Sequence, residues 1–98
     1  MSTIQAKFYP ERLLLERATA TKDRHFAGKD CAEVQSLGGI DNPQGGVKLY
    51  SWLCLSRTEE SAVLNVHIEY DGYPRVYSER ITCTDYPQIA KQGFVCNE

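Results

Sequence analysis

This 98-residue chain predicts an α+β fold, an antiparallel β-sheet of about three to five strands in a meander with one or two short helices. Three observations carry that expectation. Residues 62–83 contain two alternating runs separated by Asp-Gly, residues 47–57 form a run that is apolar on both faces, and residues 30–37 carry the start and stop marks of a short helix. One domain, 1–98, is the economical division, because a chain of this length supports one core and little beside it.

From the amino terminus, residues 10–20 admit two readings. Pro10 followed by Glu11-Arg12-Leu13-Leu14-Leu15-Glu16-Arg17 suits the first turn of a helix, while Leu13, Leu15, Arg17 and Thr19 alternate as a strand would. Thr19 and Thr21 extend the segment into a β-favouring tail, so a strand is the preferred reading. The next stretch, Thr21 to Asp30, reads as a loop. Asp30 with Glu33 three residues later resembles a capping box, and Gly38-Gly39 is a helix stop, which predicts a helix of about two turns between Asp30 and Leu37.

Val47 to Arg57 predicts a strand with Val47, Leu49, Leu53 and Leu55 on one face and Tyr50, Trp52 and Cys54 on the other, a central position covered on both sides. Arg57 to Ser61 is a polar connection. In Ala62 to Tyr70, Leu64, Val66, Ile68 and Tyr70 share a face, while Asn65, His67 and Glu69 take the solvent side. Asp71-Gly72 suits a tight hairpin turn, and Arg75 to Cys83 alternates again with Tyr77, Ile81 and Cys83 on one side. Asp85-Tyr86-Pro87 opens a helical turn closed by Gly93, after which Phe94, Val95 and Cys96 return to the sheet.

Composition narrows the function class. A hydrophobic share of 42% and a net charge of −2 place the chain among folding sequences and outside the globally basic nucleic-acid binders. Charge is divided unevenly: residues 1–30 carry six basic side chains against four acidic ones, and residues 31–98 carry five against nine. The amino terminus has no basic region followed by the roughly 7–15 apolar residues of an export signal, so the cytoplasm is the expected compartment. Free, packed thiols are then the preferred state of Cys31, Cys54, Cys83 and Cys96, with at least one disulfide, and at most two in any of three pairings, as the alternative.

Catalytic chemistry finds little footing. A nucleophilic thiol needs a base beside it, and the candidates are Cys54 or Cys83 with His25 or His67, a proximity that neighbouring strands also give by chance. The cysteines lack the paired short spacing of a structural zinc site, and the chain has no phosphate-cradling or metalloprotease motif, so the expectation is a non-enzyme without cofactor or metal. Binding finds more. Lys22, Arg24, His25 and Lys29 gather cations in a loop that suits phosphate or an acidic surface, although Asp23 and Asp30 oppose that use. Tyr50 and Trp52 are either core or an exposed aromatic anchor for a partner.

A small acidic domain without enzyme motifs, built as a meander with a helix, resembles the phage-encoded anti-CRISPR inhibitors of type I-F surveillance complexes. The resemblance lies in overall character, since those families share no common motif. It implies a non-catalytic inhibitor in the host cell cytoplasm that binds an RNA–protein effector, blocks target-DNA access or hybridisation, and touches guide RNA phosphates through Lys22, Arg24 and Lys29. The alternative is an exported, disulfide-stapled inhibitor of a hydrolase, or a toxin-immunity protein.

Overall fold

A computed structural model describes residues 11–42, 45–69, 74–81 and 88–96. The chain is a small α+β fold: helix α1 (Glu11–Phe26), strands β1 (Glu33–Asn42), β2 (Val47–Leu55), β3 (Ala62–Glu69) and β4 (Arg75–Arg80), and a short helix α2 (Gln88–Lys91). The strands form one sheet in the order β1-β2-β3-β4, with every neighbouring pair antiparallel.

The meander from β2 to β4 follows the alternation read in the sequence. Lys48, Tyr50, Trp52 and Cys54 of β2 lie on the face shared with Leu64, Val66 and Ile68 of β3, and α1 crosses that face. Leu14, Ala18 and Phe26 of α1 join these side chains in the larger core. The opposite face carries Leu53, Leu55 and Val63, which pack with Ile81, Ile89 and Phe94 into a second cluster. Phe94 is the return to the sheet that the carboxy-terminal sequence suggested, held by hydrogen bonds from Val95 N to Ser56 O at 2.7 Å and from Ser61 N to Val95 O at 3.1 Å. The Asp71-Gly72 turn, Tyr70, Cys83 and residues 85–87 lie outside the described residues.

Two local readings are corrected. Residues 11–26 form a helix where a strand was preferred over residues 10–20 and a loop from Thr21 onward. Leu14, Ala18 and Thr21 recur at helical spacing on the buried side, and this periodicity outweighs the alternation of Leu13, Leu15, Arg17 and Thr19. Glu11 in the first turn and Arg24 and His25 in the last also complement the helix dipole. The β-branched Thr21 is absorbed because its hydroxyl donates to Arg17 O at 3.0 Å.

The expected helix over residues 30–37 is instead a bend followed by an edge strand. Pairing with β2 wins over the capping pattern: Ala32 N donates to Leu55 O at 2.8 Å, and Val34 sits opposite Cys54. Gly38, at φ 88°, serves a β-bulge and not a helix end. Between Ser36↔Trp52 and Gly39↔Tyr50, Leu37 and Gly38 together face the single residue Ser51.

Candidate functional site

The two faces of the sheet are finished differently. Along the α1 face, the helix buries the aromatic pair Tyr50 and Trp52, each 7% exposed, with their rings stacked at 6.0 Å. They are core residues and not surface anchors, so the core alternative for this pair holds. Lys48 adds its stem to the same layer. Its ammonium pairs with Glu11, lies 5.4 Å from the Tyr50 ring centroid, and titrates above its ordinary value chiefly because of the Glu11 hydrogen bond, with burial opposing. Burial raises the Tyr50 phenol, and its hydroxyl reaches the same Glu11 carboxylate at 3.4 Å.

The cations proposed for a binding loop sit on the second half of α1 and the turn after it. Lys22 is committed: its Nζ lies 3.0 Å from Asp23 and 5.7 Å from the Trp52 ring centroid, with the side chain 19% exposed. Arg24 is exposed and its Nη2 donates to Thr21 Oγ1 at 3.4 Å. His25 Nε2 stands 3.2 Å from Ser78 Oγ on β4, and the ring meets Phe26 edge-on at 5.4 Å. Burial, and then the nearby Lys29 charge, lower its pKa. Lys29 is exposed in the turn. Arg24 on the helix and Lys29 in the turn therefore face outward while Lys22 is turned onto the sheet, which divides what the sequence groups as one basic loop.

Cysteine chemistry is also reassigned. Cys31 and Cys54 form a disulfide with Cα atoms 5.3 Å apart, and Cys96 is disulfide-bonded as well. No described cysteine is a free thiol, which overturns the preferred free-thiol reading for Cys31, Cys54 and Cys96 and removes Cys54 as a nucleophile. The bridge staples the approach to β1 onto the central strand beneath α1. Ser78 with His25 is the remaining hydroxyl–imidazole pair, and it is exposed, with nothing among the described residues bonded to the imidazole Nδ1 that would orient it as a base. Among the described residues no three His, Cys, Asp or Glu side chains gather as a metal site requires.

The uncovered part of the second face is the site that sequence reasoning missed. Among the described residues, the carboxy-terminal cluster roofs one end of it and leaves a concavity of about 490 Å³ above the middle of the sheet. The bulge in β1 forms one wall, with Leu37 and the 68% exposed Ile40. Leu49, Ser51 and Asn65 form the floor, where Ser51 Oγ donates to Asn65 Oδ1 at 2.7 Å, and Glu79 and Arg80 stand on the far side. Beside it, the His67 and Tyr77 rings contact at 6.2 Å, with Tyr77 48% exposed. The signal was present as the polar positions Asn65 and His67 assigned to the solvent side; what it lacked was the bulge that makes this side concave.

Comparison with known protein families, with curated proteins and with solved structures gives no match to this chain. Among the described residues no helix is long and apolar enough to cross a membrane.

Proposed function

We propose that the chain is a non-catalytic binding domain of an oxidising compartment, an exported disulfide-stapled inhibitor or immunity-type protein, that holds a partner protein on the uncovered half of its sheet. The observation that carries this reading is the oxidised state of every described cysteine. Disulfides persist in secreted and periplasmic proteins and are rare where glutathione and thioredoxin keep thiols reduced.

The working surface follows from the packing. α1 occupies one face, the carboxy-terminal cluster occupies one end of the other, and what is left is concave, partly apolar and lined by polar side chains. A partner covering it would bury Ile40, Leu37 and Tyr77, the exposed large apolar side chains on that side.

The rival, a cytoplasmic inhibitor touching guide RNA through Lys22, Arg24 and Lys29, predicts free thiols and binding lost when Arg24 and Lys29 are neutralised. The test is mass spectrometry of the active protein after thiol alkylation without reductant, beside partner capture from the secreted or periplasmic fraction. Expected are no alkylated cysteines and a partner whose retention is lost with Ile40→Asp and kept with Arg24→Gln/Lys29→Gln. Four alkylated thiols in protein that still binds, or the opposite pattern of variants, overturns the reading.

A further inference from the structure

The concavity holds one charge without a counterpart. Of its two charged side chains, Arg80 is paired with Glu60, while Glu79 makes no ion pair or hydrogen bond among the described residues. Next to it, Asn65 Oδ1 is already taken by the Ser51 hydroxyl, which leaves the amide hydrogens of Nδ2 as donors without a partner among the described residues. Opposite stands the apolar wall of Leu37 and Ile40. The site therefore combines an anion, an amide donor and an aliphatic surface.

Resting on the binding-domain reading above, we infer that this concavity receives a basic loop of the partner protein. An Arg or Lys of the loop sits beside the Glu79 carboxylate, a neighbouring aliphatic side chain covers Ile40 and Leu37, and Asn65 Nδ2 donates to a backbone carbonyl of the loop. The described strands carry Glu33, Asp41, Glu69 and Glu79 against Lys48, Arg75 and Arg80, an excess of one acidic charge that agrees in sign with a cationic partner. An acidic or phosphorylated segment would meet Glu79 with like charge.

The probe is acetyl-Ile-Arg-Ile-amide, titrated into isotope-labelled protein with its disulfides intact and followed by backbone amide shifts. The Ile-Glu-Ile and Ile-citrulline-Ile peptides serve as controls. Shifts are expected to saturate and to concentrate at residues 37–40, 49–51, 63–65 and 79–81. Affinity should fall about three- to fivefold in Glu79→Gln and by a similar factor on replacing Arg with citrulline, the size of one exposed ion pair. Glu79 is exposed, so the variant keeps its fold, and its unperturbed amides check this directly.

The absence of binding, shifts centred on α1, equal binding of the Glu peptide, or an unchanged affinity in Glu79→Gln each overturns the basic-loop assignment. A captured partner that needs Ile40 but is indifferent to Glu79→Gln sinks the assignment and leaves the binding domain standing. Free thiols in active protein sink the exported, disulfide-stapled reading, while the peptide titration decides the basic-loop assignment separately.

Discussion

Removing the Cys31–Cys54 bridge is the perturbation whose size follows most directly from the structure. The bridge joins positions 23 residues apart, and the loop-closure entropy it withholds from the unfolded chain corresponds to about 3 kcal/mol. Cys31→Ala/Cys54→Ala is the suitable variant, because Cys54 is buried and a serine there would place a hydroxyl in the core. With a urea slope of about 1.2 kcal/mol per molar for a domain of this size, the unfolding midpoint falls by about 2.5 M. Trp52 is the only tryptophan, lies on the same face as Cys54 and is covered by α1, so its fluorescence follows the transition. The bridge made by Cys96 survives in this variant, so full reduction of the wild type must lower the midpoint at least as far. A double variant whose midpoint stays within about 0.5 M of wild type refutes the reasoning, since that change lies near the precision of such extrapolations.

Three further outcomes are expected. Leu64→Ala, at a fully buried site of β3 on the face under α1, costs about 2–5 kcal/mol by thermal or urea unfolding, whereas Leu15→Ala, on the exposed side of α1, changes stability by under about 0.5 kcal/mol. Gly38→Ala forces a side chain into φ 88° and costs about 1–2 kcal/mol, while Gly28→Ala, where an added Cβ has open space, is close to neutral in the same assay. The folded-state pKa of His25 is depressed below its ordinary 6.5, first by burial and then by Lys29. Protonation is thus harder in the folded chain than in the unfolded one, so this contribution to stability is complete above pH 6.5 and is lost as the pH falls below it. Unfolding midpoints compared at pH 7.5 and pH 5 should drop further for wild type than for His25→Gln, and identical drops would remove His25 as the cause.

The sheet was legible where one residue's environment repeats every second position. Leu64, Val66 and Ile68 alternate against Asn65 and His67 without interruption, and β2 carries apolar groups on both faces because both are covered. α1 was harder, since Leu13-Leu14-Leu15 fits either period and the decisive buried positions, Ala18 and Thr21, are small or polar. β1 was lost to a local pattern: Asp30 and Glu33 look like a cap, yet Asp30 meets Thr58 instead, and long-range pairing with β2 fixes the strand. The concavity of the candidate site escaped the sequence reading for a related reason, although Asn65 and His67 were read as solvent-facing. Its residues come from all four strands, and its depth depends on one surplus residue in β1, which no spacing along the chain encodes.

That surplus residue also governs how the molecule behaves in a crowd. β1 is an edge strand, ten residues long, with Val34, Leu37 and Ile40 exposed and no lysine or proline to deter a neighbour. A straight edge of this length offers unpaired backbone groups on which another chain can continue the ladder. Because the backbone kinks midway between Ser36 and Gly39, an incoming strand can stay in step with only one half at a time and finds no continuous template.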